Sequence, residues 1–358
     1  MRHPRRAGSA SRMESVMYKI VVHEFGGIEK LDIVEQATPA PAPGSGQVVI
    51  RIISIGMNHA ELMSRRGEYK IASGEPPFVP GLEAGGIIEA VGPDVTTRTV
   101  GQRVILGADA PRRAMGGEGT YQSHYLTTAE KTVPAPAGVP DLALGALWLP
   151  YLTAWGCLVW KQNVQAGQYV LIPAASSAVA MAAAQLVKDL GAIAIGTTTS
   201  PEKVAALKAM PECKFDHIVV TRDAPWWKEV KQITGGHGCD VIFDPVAAGE
   251  FLNTEIRLLA ERGTLWVYGL LGTAGTVDVT PLIRLKGAIR GWALTELAAH
   301  APGSKNEPLQ RGYAHILDRV ADGRFKLPIA GTFGLRDVRR AHEEMEKGKH
   351  IGKLILVP

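Results

Sequence analysis

Two short stretches carry small and hydroxyl-bearing side chains where a phosphorylated ligand could meet the backbone. The first, Ala174-Ala175-Ser176-Ser177-Ala178-Val179-Ala180, follows the apolar run QYVLIPA (168–174) and opens the helical run SAVAMAAAQLVKDLG (177–191). A strand feeding a tight turn and then a helix start presents unpaired N–H groups and the positive end of a helix dipole. That is the chemistry that holds a pyrophosphate. Glycine usually fills such a turn, because the backbone must approach the phosphates closely. Here Ser and Ala, the next smallest residues, take its place, and the hydroxyls of Ser176 and Ser177 add donors. An ordinary buried βα turn remains the alternative for this segment alone.

The second stretch, Gly196-Thr197-Thr198-Thr199-Ser200, ends the next apolar run and precedes Lys203. About twenty residues beyond the turn, sites for NAD place an acid on the ribose 2′-hydroxyl. This chain has no acid there. The hydroxyls of Thr198 and Ser200 and the ammonium of Lys203 suit a 2′-phosphate, which an acid would repel. NADPH is therefore the expected cofactor. The competing reading is that Lys203 only tops an exposed helix face.

The elements that must position these residues follow from pattern. From residue 168 onward, buried-strand runs (QYVLIPA, AIAIGTTT, HIVVT, CDVIFDPV, TLWVYGLLG) alternate with helical runs, among them SPEKVAALKAM with Ser200 as cap and Pro201 first in the helix. That alternation predicts βαβ units and a doubly wound parallel sheet. Before residue 141 the chain reads as short strands broken by Gly and Pro, with no long helical period. The end, from about Pro302, reads helix, strand, helix, strand and is expected to pack back on the first half.

Composition narrows the class. The 358 residues are 46% hydrophobic and 21% charged, enough for about two domains with substantial cores. No apolar run is long enough to span a bilayer. Cys157, Cys213 and Cys239 are too few and too scattered for a disulfide framework or a four-cysteine zinc lobe. A reduced, cytoplasmic protein is the plain reading. Residues 1–12 hold Arg2, Arg5, Arg6 and Arg12 and no acid, which accounts for the whole formal net charge of +4. The neutral remainder argues against nucleic acid as a partner and leaves a small-molecule substrate.

Several motifs occur together in order: GQVVIRIISIGMNHAELMSRRGEY (46–69), VPGLEAGGIIEAVGPDVTTRTVGQRV (79–104), GGEGTYQSHYLTTAEKTVPAPAG (116–138), LTAW (152–155) and GKLIL (352–356). With these the chain resembles the medium-chain dehydrogenase/reductase superfamily, specifically its zinc-free quinone oxidoreductase branch, over roughly residues 17–358. The resemblance implies a β-rich GroES-like catalytic domain plus a doubly wound Rossmann-type sheet. Its divisions would be a disordered tail at 1–16, the catalytic domain from 17 to 150, the dinucleotide-binding domain from 151 to 296, and a return to the catalytic domain over 297–358.

Where that superfamily binds catalytic zinc, this sequence has Asn58, Leu82 and Leu149. Leucine cannot ligate a metal, so no metal is expected; an improvised site from His59, Glu61 and Glu83 is the weaker alternative. Without a Lewis acid, the implied chemistry is hydride transfer from NADPH to a quinone or an α,β-unsaturated carbonyl. An enoyl-thioester reductase, or a protein of this fold that binds NADPH without turnover, are the competing functions. By the same resemblance Asn58 lies beside the nicotinamide and Thr153 beneath it. Ala175, Ser176, Ser177, Ala178 and Val179 face the pyrophosphate, and Thr198, Ser200, Lys203 and Thr221 the adenosine end. Pro245, Val246, Gly269, Leu270 and Leu271 lie in loops at the carboxyl ends of strands. The branch's tyrosine shortly after the Asn is replaced by Leu62-Met63, so His59, Glu61, Tyr69 or water would supply a proton. The apolar segment 277–294 matches the sheet edge through which the branch forms homodimers.

Overall fold

The computed structural model describes residues 16–36, 42–111, 118–222, 225–298 and 307–358. The basic stretch 1–12 lies outside them. Two sheets organise the chain. One has six parallel strands: Tyr169–Ile172, Ile193–Thr198, His217–Val220, Cys239–Asp244, Leu259–Val267 and Ala288–Gly291. Numbered along the chain within this sheet, they lie in the order 3-2-1-4-5-6. The order reverses between Tyr169–Ile172 and Cys239–Asp244, and doubly wound folds bind ligands outside the carboxyl ends at such a point.

The runs read as buried strands behave so because both faces are covered. Val170, Leu171, Ile172, Val241, Ile242 and Phe243 are fully buried, as a parallel sheet between helical layers requires. The helix Ala178–Asp189 presents Ala180, Ala182, Ala183 and Ala184, all fully buried. Its short side chains allow a close approach, while Met181, Leu186 and Val187 contribute roughly 1.5–3 kcal/mol each by burial.

The second sheet is antiparallel except where Ile329–Gly334 pairs parallel to Lys353–Val357. Lys353–Val357 in turn pairs with Gln47–Gly56, Ile355 lying opposite Gly56. The C-terminal segment is thus built into the sheet of the N-terminal half. The chain crosses from this sheet to the parallel one along Trp148–Ala154 and a π-helical continuation, Trp155–Lys161.

The N-terminal half holds a helix, His59–Arg66, that periodicity does not reveal, because its buried side includes Glu61, Ser64 and Arg65 rather than an apolar stripe. The helix Gly249–Leu258 passes directly into the strand Leu259–Val267, with Arg262 at a positive φ of 65°.

Candidate active site

The turn after Tyr169–Ile172 adopts its tight shape without glycine because Ala174 takes a left-handed φ of 56°. The Ser177 N–H donates to the Ala174 carbonyl at 2.8 Å. Ser177 caps the following helix, its Oγ accepting the Ala180 N–H at 3.1 Å. Ala175 is the exception among the expected pyrophosphate residues. Its side chain is fully buried, and its N–H is committed to the Thr197 carbonyl at 2.8 Å. Ala178 and Val179 form the first helical turn and stay half-buried.

An element that sequence reasoning missed lies against this turn. The Gly352 N–H donates to the Ser176 carbonyl at 2.9 Å, and Gly352 pairs with Ser177 as an isolated bridge. Glycine is required at 352: its φ is +98°, and a Cβ would lie 2.3 Å from the Pro328 carbonyl oxygen. Lys203 joins the same strap. Its Nζ donates to the carbonyls of Gly348 (2.8 Å) and His350 (3.2 Å) and to Ser176 Oγ (3.2 Å). Lys203 is therefore half-buried beside the turn at Ser176 rather than topping an open helix face. Thr198 is buried, its Oγ1 accepting the Ser200 N–H at 3.1 Å, and its carbonyl accepts the Thr221 N–H at 2.9 Å.

Across the switch point, two loops run together. Leu271 N–H donates to the Pro245 carbonyl (2.9 Å) and Gly272 N–H to the Val246 carbonyl (2.8 Å). Gly269 allows this approach, since a Cβ there would meet the Pro245 oxygen at 2.8 Å. Leu270 and Leu271 remain exposed. Buried Asp244, which the sequence reading left without a role, shapes the first loop by accepting the N–H groups of Val246 (2.6 Å) and Ala247 (2.7 Å). Thr153 is anchored on Trp148–Ala154, donating to the Leu149 carbonyl at 2.6 Å, while its own carbonyl accepts the Trp292 indole N–H at 2.8 Å.

Beneath the segment that joins Gln47–Gly56 to helix His59–Arg66 lies a buried charged network. Lys353, Glu61 and Glu83 are each 2% exposed. The Lys353 ammonium donates to Asn58 Oδ1 and Glu83 Oε1. Asn58 Nδ2 donates to Glu83 Oε1 (3.2 Å), Glu61 Oε1 (3.3 Å) and the Gly56 carbonyl (3.2 Å). Both functional ends of the Asn58 amide are thus engaged inside the protein. Glu61 accepts the Asn58 N–H at 2.6 Å and the Leu82 N–H at 3.1 Å, and Glu83 accepts the Leu149 N–H at 2.9 Å. Two carboxyls face one cation. Burial pushes the Glu61 carboxyl up to about 7, with Glu83 adding to the rise and Lys353 and Asn58 opposing it.

Glu61 also lines a cavity of about 250 Å³ together with Ser64, Phe78, Pro80, Leu82 and Glu118. His59 stands exposed at the start of its helix, and half-buried Tyr69 precedes the short helix Lys70–Ser73. The structure therefore gathers Asn58, Glu61, Glu83 and Lys353 in one network and leaves His59 outside it. Lys353 belongs to the GKLIL motif, so a signal existed, but nothing in the motif says that its ammonium turns inward.

A parallel sheet with a tight turn opening a Ser177-capped helix, joined to a β-rich unit that carries buried polar chemistry, defines a two-domain fold of the dinucleotide-dependent kind. Residues 44–137 match the family model for the alcohol dehydrogenase GroES-like domain, and residues 178–302 that for zinc-binding dehydrogenase. A 2-haloacrylate reductase from a Burkholderia species is 31% identical over 342 residues, covering 94% of this chain and 98% of that protein. The quinone oxidoreductase of Rattus norvegicus is 30% identical over 352 residues, covering 96% and 98%. The structure of Escherichia coli quinone oxidoreductase complexed with NADPH superposes with a TM-score of 0.82 at 27% identity, covering 95% of this chain and all of that one. The chain belongs to the medium-chain dehydrogenase/reductase superfamily, among its quinone oxidoreductase-like members.

One of those family models is named for zinc, and the donor chemistry here does not suit it. Leu82 and Leu149 carry no ligating atom, and the remaining candidates, Asn58 and Glu83, are engaged by the Lys353 ammonium. Among the described residues no group of three or more His, Cys, Asp or Glu could hold a metal ion.

Proposed function

We propose that this protein is an NADPH-dependent reductase that passes hydride, without zinc, to a quinone or an α,β-unsaturated carbonyl. One observation carries the reading: of the motif positions 58, 82 and 149, two are leucines and the third, Asn58, is engaged by the buried Lys353 ammonium. A carbonyl with no Lewis acid beside it is best reduced when the arriving charge delocalises through conjugation.

The residues around the cleft fit the cofactor. Ser176, Ser177 and the start of helix Ala178–Asp189 would hold the pyrophosphate, as helix N-termini do. Lys203, Ser200 and Thr198 would hold the 2′-phosphate, and Thr153 with the loops at Pro245–Val246 and Gly269–Leu271 would border the nicotinamide. When bound, NADPH supplies the hydride; the protein supplies position and exclusion of water.

Ala288–Gly291 is the edge strand of the parallel sheet, and Val279 and Ile283 near it are 58% and 82% exposed. This edge is the surface through which two copies would pair as a homodimer. Among the described residues no helix is long and apolar enough to cross a membrane. The proposed working place is the cytoplasm.

The test is direct. Titrating NADPH should quench the fluorescence of the seven tryptophans, and a panel of quinones and enones should then oxidise it. Absence of quenching at millimolar NADPH would overturn the proposal. Quenching without oxidation across the panel would identify a binding protein that has lost turnover.

A further inference from the structure

We propose that Glu61 is the general acid that supplies the proton completing the reduction, delivered through the cavity it lines. This assignment rests on the reductase reading above. Hydride arrival forms a C–H bond at the β-carbon and breaks the C=C π bond. Two electrons pass from the nicotinamide to the acceptor, and the π pair moves onto the carbonyl oxygen. The Glu61 O–H bond then breaks, its proton joins the enolate, and the electron pair stays on the carboxylate. Water returns the proton before the next turnover. With a quinone, the same proton neutralises the oxygen left anionic by the hydride.

Geometry selects Glu61 over its neighbours. Glu83 is closed off by its ion pair with Lys353 and does not line the cavity. His59 lies outside the network, on the exposed end of the helix. Glu61 alone combines a carboxyl bonded in the Asn58 network with a place among the residues that line the cavity. The polar and charged groups near it come from several elements. Asn58 and Arg65 come from its own helix, Glu83 and the Leu82 N–H from the next strand entry, Lys353 from the C-terminal strand, and Tyr121 from the loop opposite. Glu118 lines the same cavity. Burial and Glu83 favour the acid while Lys353 and Asn58 favour the carboxylate, and the balance near 7 suits a group that must give and regain a proton at neutral pH.

Two measurements on the whole protein test this. In the ligand-free protein, wild-type minus Glu61→Gln infrared difference spectra should show a buried carboxylic acid band that disappears as pH passes about 7. This reading needs no turnover; a Glu61 band absent at pH 6 would overturn the assignment. In turnover, Glu61→Gln should lower kcat by about 10²-fold or more. NADPH quenching should be unchanged, and the wild-type loss of kcat above neutral pH should vanish. Glu61→Gln that matches the wild type in kcat and pH profile would sink the role of Glu61 and leave the reductase reading standing. A wild type inert toward every acceptor would remove both.

Discussion

The phosphate turn and the buried network each lack the residue that a zinc- or glycine-dependent relative would use there, and they make up the loss in different ways. The turn lacks glycine, a deficit of shape. Ala174 absorbs it locally by taking a φ of 56°, a strain of order 1–2 kcal/mol. The buried network lacks metal ligands, a deficit of charge. No single backbone angle can supply that; Asn58 with Glu61, Glu83, and Lys353 come from three places in the chain to do so. A deficit of shape is therefore forgiving to mutation, whereas a deficit of charge ties distant segments together and should be unforgiving.

Removing the cation is the severest way to break that contrast. Lys353→Met leaves Glu83 buried without its ion-pair partner, which costs about 3–5 kcal/mol when one member of a buried pair is deleted. Urea unfolding should show this loss, and adding Glu83→Gln should recover most of it by removing the stranded charge. A single mutant within 1 kcal/mol of the wild type would mean that the network is not a charge device at all.

Next in size is a pH effect that belongs to the network and not to the turn. Glu61 is raised from 4.5 unfolded to about 7 folded. Below pH 4.5 both states hold the proton and Glu61 contributes no pH dependence. Between 4.5 and 7 the unfolded chain releases it first, so stability falls as pH rises, by up to roughly 3 kcal/mol, and levels off above 7. Unfolding measured across this window should lose that slope in Glu61→Gln. A slope unchanged by the substitution would place the proton elsewhere.

The same contrast explains what could be read from the chain alone. The parallel sheet was legible because buried strands such as Val170–Ile172 and Val241–Phe243 are continuous apolar runs, and their alternation with helices limits the topology. The turn after Tyr169–Ile172 was legible as a position, and the structure makes its tight bend with Ala174 where glycine is usual. The strap from Gly348 to Gly352 was not, because it acts through backbone carbonyls and one N–H, which every residue type carries. The network was half legible. Asn58 and Glu61 lie three residues apart in one motif, but Lys353 is 295 positions from Asn58, and only the pairing of Lys353–Val357 beside Gln47–Gly56 brings it there.

Lys203 lies between the two regimes, since it is a charge committed to backbone partners. Lys203→Met should weaken NADPH binding by about tenfold, near 1.4 kcal/mol, with a smaller effect on NADH, as followed by tryptophan quenching. Unequal losses mean that the ammonium meets the 2′-phosphate. Equal losses mean that it serves both cofactors only by anchoring Gly348 and His350.

The smallest effect is expected at the turn itself, and its sign is opposite. Ala174→Gly relieves the left-handed strain on a side-chain-bearing residue but adds conformational freedom to the unfolded chain, which offsets about 0.4–1 kcal/mol. The net should be a gain of roughly 0.5–1 kcal/mol, visible as a Tm raised by about 1–3 °C, since domains of this size shift more weakly per kcal/mol than small ones. NADPH affinity should stay level, because the N–H groups of the turn keep their directions whichever residue occupies position 174. If the glycine variant is instead less stable, the Ala174 methyl is packing usefully on its surroundings, and the turn has been adapted to alanine rather than strained by it.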